Sequence, residues 1–171
     1  KDLKFQEENY YEMLIHNIID YIQSQKEIYL FSFCKYEGDE NSISKLKNKL
    51  PVEYQDKVQA VYYRGDLDSF MKQYKSMEYM ICSRFHAMVL SVVFGQKCRI
   101  MSYSNKIDNV IKDLTLFDQE IIHFKDLTQN TKMPLESFEK VEEKKVKEIA
   151  KQAEKQLEKV NETMMQITQN D

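Results

Sequence analysis

Hydrophobic and polar positions along this chain fall into two alternating rhythms. In the first segment Tyr11, Leu14, Ile15, Ile18, Ile19 and Ile22 recur at steps of three and four, the spacing of an amphipathic helix. The compact apolar run from Ile28 to Phe33 (IYLFSF) has the length of a buried strand. The polar stretch GDEN then opens a helix that runs to Leu50, with Asp39 and Glu40 at the end where the helix dipole favours negative charge, and Pro51 stops it. The alternation continues with a strand at 58–63 and a helix at 67–74, with Asp66 in the capping position. It goes on through a short strand at 79–82 and a nearly all-apolar helix at 85–94 closed by Gly95. A strand at 98–103, a helix at 106–114 and a last strand at 119–124 complete it. Strands separated by helices of this length predict an α/β fold: a Rossmann-like, doubly wound, mostly parallel sheet flanked by helices.

Beyond Pro134 the pattern changes. Val146, Ile149, Ala153, Leu157, Val160, Met164 and Ile167 keep a three-and-four spacing among Glu and Lys, which predicts a long amphipathic C-terminal helix. The expected division is therefore a Rossmann-like domain at 1–134 and a long amphipathic helix at 135–171, packed on that domain or on a missing N-terminal domain. With Ala and Met at seam positions the stripe makes a weak zipper, so packing is the preferred reading over a coiled-coil partner.

Composition narrows the class. The chain has 171 residues, 42% apolar and 31% charged, which suits one domain with a real core. Three glycines and two prolines are few against the roughly one dozen and about eight that average usage gives, so a many-hairpin sandwich or barrel is disfavoured. Gly38, Gly65 and Gly95 stand apart, which excludes a Walker loop and a GxGxxG loop, both of which need clustered glycines. Cys34, Cys82 and Cys98 form no CxxC pair, and no HExxH or EF-hand loop is present, so no metal site is expected. The cysteines read as small core residues of a protein in a reducing compartment. A net charge of −3 and a pI near 5.7, without a basic stripe, argue against nucleic acid. No run is long enough for a membrane span, and the start at Lys1 reads as a processed chain or a piece of a longer one.

In an open parallel sheet, ligands bind beyond the carboxyl ends of the strands, where helix N-termini present unpaired N–H groups. Three strand-to-helix junctions qualify: Phe33 to Glu40, Cys82 to His86, and Ser102 to Lys106. The second is the most informative, because Arg84 and His86 lie between an apolar strand and an apolar helix whose packing needs neither. Arg84 offers a planar fork for a carboxylate or phosphate, and His86 can donate to an anion or move a proton near neutral pH. Ser83 can cap the helix or touch a ligand. Spacing alone leaves open, at even weight, a surface ion pair for Arg84 and a half-buried structural role for His86. Lys106 starts the next helix, where a cation is electrostatically unfavourable. His16 and His123 read as structural.

The stretch 79–116, YMICSRFHAMVLSVVFGQKCRIMSYSNKIDNVIKDLTL, resembles the C-terminal half of polysaccharide pyruvyl transferase family proteins. Ser83, Arg84, Phe85, His86 and Ala87 fit that family's S-R-[aromatic or Leu]-H-A signature; Ser102, Tyr103 and Lys106 fit its S-Y-x-x-K stretch. Upstream, LFSFCKYEGDENSI is similar to its strand-loop-helix with an acidic pair, here Asp39 and Glu40. Gln96-Lys97-Cys98 departs from the family's usual apolar-proline pair. The resemblance implies one half of a GT-B-like two-domain fold, with an N-terminal domain as partner. It implies transfer of pyruvate from phosphoenolpyruvate to two hydroxyls of a sugar in a bacterial cell-envelope or exopolysaccharide glycan. Phosphoenolpyruvate is the donor substrate, a saccharide the acceptor, and no cofactor is expected.

On that reading Arg84 and His86 are the catalytic residues, and Ser83, Arg84, His86, Tyr103 and Lys106 bind substrate. Asp39 and Glu40 are the conceivable bases for the sugar hydroxyl. The isolated chain is expected to be inactive, and the location cytoplasmic or peripheral at the inner membrane face. The alternatives are a nucleotide-sugar-dependent GT-B glycosyltransferase domain and a non-catalytic interaction module that uses the C-terminal helix.

Overall fold

The computed structural model describes residues 2–103, 105–116 and 121–168. Along the chain α1 (Asp2–Gln23) is followed by β1 (Ile28–Ser32), a 3-10 turn (Lys35–Glu37), α2 (Asp39–Lys49), α3 (Val52–Gln55) and β2 (Val58–Tyr62). Then come α4 (Leu67–Lys75), β3 (Tyr79–Cys82), α5 (Phe85–Val93), β4 (Lys97–Ser102), α6 (Asn105–Leu114), β5 (Ile122–His123) and α7 (Glu143–Thr168). The α/β alternation is thus present, with strand pairing parallel throughout the named ladders. The last strand is shorter than the 119–124 expected from sequence, and residues 119 and 120 of that expectation lie outside the described residues.

The strands form two parallel sheets, β1-β2 and β3-β4-β5. Ile28 faces Val58 in the first, and Tyr79 faces Lys97 in the second. Between β1 and β3 runs a cavity of about 590 Å³, walled by α1 residues such as Tyr10 and Leu14 and rimmed at one end by Asp39, Ser83 and Arg84. Within each sheet the strands run parallel, and contacts of Arg84 with Asp39 and of Lys106 with Phe85 bring the β1–α2, β3–α5 and β4–α6 junctions together.

Three apolar clusters hold these layers. The largest joins α4, α5 and α6 to β3 and β4 through Phe70, Tyr74, Met88, Ile100 and Ile107. The second packs Tyr11, Ile15 and Ile18 of α1 on Leu46 and Leu50 behind β2. In the third, Met13 meets Met101, Leu127 and Met133. Polar latches accompany them: buried Asn17 donates to the Met13 and Thr131 carbonyls (2.8 and 2.9 Å) and accepts from the Met133 N–H (2.8 Å). A buried side chain with its donors and acceptor matched in this way fixes α1 without a desolvation penalty.

The C-terminal region begins as part of this core. Leu135–Ser137 form a 3-10 turn, Phe138 and Val141 are buried, and Cys98 and Glu139 exchange backbone hydrogen bonds across an antiparallel bridge. The helix starts at Glu143, and Val146 and Ile149 on its first turns pack against the largest cluster. Among the described residues no helix is long and apolar enough to cross a membrane.

Candidate functional site

The site is built where β3 ends. Met80 and Cys82 are buried within β3, and α5 begins at once, its inner face of Ala87, Met88, Ser91 and Val92 sunk in the core. That anchoring leaves Ser83, Arg84, Phe85 and His86 at the carboxyl edge of the sheet. Arg84 is the extended N-cap residue of α5 (φ −103°, ψ 141°), and no side chain caps the helix. Of the two roles open to Ser83, capping is not seen: Ser83 lies one residue before the N-cap, and its side chain turns to the cavity rim beside the Tyr10 phenol. Burial raises the Tyr10 pKa, and the Ser83 side chain works against that rise.

Arg84 organises the centre. Its Nε donates to Asp39 Oδ1 (3.0 Å), and one Nη2 bond reaches the same carboxylate. A second Nη2 bond goes to the Glu37 carbonyl (3.1 Å), and Nη1 donates to the Glu37 carboxylate. Burial opposes the Arg84 charge, but the hydrogen bond and charge of Asp39, with Glu37 and Tyr103, outweigh it and raise its pKa. The surface-pair alternative for Arg84 is thus present in part, though the pair is not a simple exposed one. The Asp39 side chain is only 10% exposed.

Asp39 is the first residue of α2, yet its carboxylate turns back to the end of β1. There Oδ2 accepts from the N–H groups of Phe33 and Cys34, each at 3.0 Å. Gly38, with φ +83°, makes this reversal possible, since a left-handed conformation is costly for residues with a Cβ. With both oxygens engaged, Asp39 is poorly placed to take a proton from a sugar. Glu40 is paired with Arg64, whose hydrogen bond lowers the Glu40 pKa. Neither expected base is free for that task.

The third junction meets the second from the side. Lys106, in the first turn of α6, carries its Nζ over the Phe85 ring at 4.7 Å from the centroid, a cation–π contact that offsets its unfavourable place at a helix start. Tyr103 is exposed and close enough to Arg84 to influence its charge. His86 is exposed on the first turn of α5, its ring edge-on to Phe85 at 5.9 Å. Ser83, Arg84, His86, Tyr103 and Lys106 are therefore brought to one edge of the sheet.

Two neighbours were not singled out from the sequence. Glu37 lies in the loop between β1 and α2, where Gly38 flanked by two acids was the available signal. Tyr10 reaches Ser83 from α1; the signal there was the Tyr10-Tyr11 doublet, of which only one ring can face the α1 stripe. Behind the site, Cys82, Cys98, Ser91 and Tyr74 form a buried polar cluster in which the Tyr74 hydroxyl meets Ser91 Oγ at 2.9 Å. Both thiols are fully buried and bonded within this cluster, so they belong to the core rather than to the site. Among the described residues no group of three or more His, Cys, Asp or Glu side chains is arranged to hold a metal ion.

Chemically, the edge offers one guanidinium, one ammonium, an imidazole and a phenol beside the N-terminus of a nine-residue helix. Such a set can hold an anion and supply a proton beside it. A family model described as polysaccharide pyruvyl transferase matches residues 1–105, which includes β1 to β4 and all of the site except Lys106. No curated protein and no solved structure matches the chain.

Proposed function

This chain belongs to the polysaccharide pyruvyl transferase family, and we propose that it is the donor-binding, C-terminal half of a GT-B-like enzyme of that family. In this reading it carries the site for phosphoenolpyruvate, and a second, N-terminal domain supplies the saccharide acceptor's contacts. The observation that carries the reading is the convergence of Arg84, His86, Tyr103 and Lys106 at the carboxyl ends of β3 and β4, beside the α5 N-terminus. A donor with both a carboxylate and a phosphate asks for a fork, a point charge and helix N–H groups together.

In the proposed mechanism Arg84 clamps the donor's carboxylate or phosphate, and Lys106 adds charge on the other side of Phe85. His86 binds the phosphate and is placed to deliver a proton. Protonation of the donor's methylene carbon by His86 leaves an oxocarbenium-like centre at C2, which one sugar hydroxyl attacks as its proton passes to the now neutral His86 imidazole. Cleavage of the bond between C2 and the phosphate oxygen expels inorganic phosphate, and the second hydroxyl closes the ketal. Its proton leaves with the phosphate. Fixed charges around the shifting electron density lower the barrier without reorganisation. Ser83 and Tyr103 orient the bound donor. The enzyme acts at the cytoplasmic side of the envelope, on a glycan precursor.

A competition experiment tests the donor class. Phosphoenolpyruvate is expected to bind the chain saturably, and a nucleoside diphosphate at equal concentration to displace little of it. Tight nucleotide binding that phosphoenolpyruvate cannot reverse would turn the assignment to a nucleotide-sugar donor.

A further inference from the structure

Arg84 has an inner and an outer edge, and two different carboxylates hold them. The inner edge, Nε with Nη2, is bound to Asp39, whose side chain is 10% exposed and whose other oxygen ties down the end of β1. The outer edge, Nη1 with the second Nη2 bond, is bound to the carboxylate and carbonyl of Glu37. The Glu37 side chain is 62% exposed and stands on a three-residue 3-10 turn that ends at Gly38. One partner is thus built into the fold and the other sits on it from outside.

We propose that Glu37 is an internal competitor for the anion site: its carboxylate occupies the outer edge of Arg84 that an incoming carboxylate or phosphate must use, so that donor binding is an exchange of anions on that edge. The inference rests on reading Arg84 as the donor's ligand. Bidentate recognition of an oxyanion needs two coplanar N–H donors, and with the Nε side committed to Asp39 the Nη1/Nη2 side is the edge left for it. There Glu37 stands. An exposed ion pair of this kind is weak, so exchange is easy, and it changes an anion's affinity by about twofold to fivefold. A dianionic phosphoryl group displaces the single carboxylate more readily than a monocarboxylate does. Glu37 thus holds the guanidinium in place and lowers the affinity of every anion for that edge alike.

The test compares the full chain with Glu37→Gln and Glu37→Ala, titrating phosphoenolpyruvate and, separately, inorganic phosphate, with the Arg84 Nε–H resonance as reporter. Both variants are expected to bind both anions about twofold to fivefold more tightly than the parent. Their unfolding midpoints should stay close to the parent's because Glu37 is exposed. Equal or weaker binding in the folded variants overturns the competitor role, even if phosphoenolpyruvate binds well and the donor reading stands. A gain with phosphate, together with phosphoenolpyruvate binding no better than phosphate, keeps the competitor and overturns the donor assignment. If neither anion binds the parent or the variants, both fall.

Discussion

Arg84→Ala is expected to weaken phosphoenolpyruvate binding by about tenfold to a hundredfold, the range for losing hydrogen bonds to a charged group. The same substitution carries a second, separable cost. Asp39 is nearly buried and receives Arg84 on Oδ1, so removal of the guanidinium leaves half of that carboxylate without its partner. Because Phe33 and Cys34 still donate to Oδ2, the loss of stability should be about 1–3 kcal/mol rather than the larger cost of a wholly stranded buried charge. Arg84→Lys separates the two effects. It keeps a positive charge near Asp39 but has no fork to present to an anion. Calorimetric titration and denaturant unfolding on the two variants check this: alanine should fail in both, and lysine mainly in binding. Donor affinity unchanged in a folded Arg84→Ala protein would remove Arg84 from the site.

The largest effect on stability is expected at Tyr74. It is fully buried at the meeting point of α4, β1 and α5, with Phe31 and Phe33 edge-on to its ring at 5.0 and 5.5 Å. Its hydroxyl donates to the Ala87 carbonyl at 2.9 Å and meets Ser91, while Gln96 holds its backbone carbonyl. Tyr74→Ala removes the ring that fastens β1 to the helix carrying the site, and should cost about 3–5 kcal/mol in equilibrium unfolding. Tyr74→Phe keeps the ring and should cost only about 1–2 kcal/mol, the share of the buried hydroxyl. Because Phe33 and Cys34, directly after β1, carry the N–H groups that orient Asp39, the alanine variant should lose anion affinity as well. A phenylalanine variant as unstable as the alanine one would mean that the hydroxyl network, not the ring, holds this corner.

What could be read in the sequence were features that neighbours along the chain decide. Asp66 was legible as a cap, and its Oδ1 accepts from the Ser69 N–H at 3.0 Å. Gly95 was legible as a helix end, and it has φ +66°. The apolar stretches at β1 and β3 mark strands whose residues are half-buried or buried, with none exposed. Features that depend on distant partners were hidden. Arg84 finds Asp39 and Glu37 from 45 and 47 residues away, and no periodicity records that pairing. The division of the strands into two sheets likewise depends on how α1 and the 133–138 segment wedge beside β1 and β3. The helix expected from 135 begins only at Glu143. Before it, Leu135–Ser137 form a 3-10 turn and Glu139 bridges to Cys98, whose backbone offers it a donor and an acceptor.

The β3–α5 and β4–α6 junctions together are proposed to form the phosphoenolpyruvate site. An NMR titration of the chain tests this proposal most directly, following the backbone amides of residues 82–87, Tyr103 and Lys106. Saturable shifts with phosphoenolpyruvate are expected to concentrate at these two junctions and not to appear with a nucleoside diphosphate. Shifts centred elsewhere, or none at millimolar phosphoenolpyruvate, would contradict it.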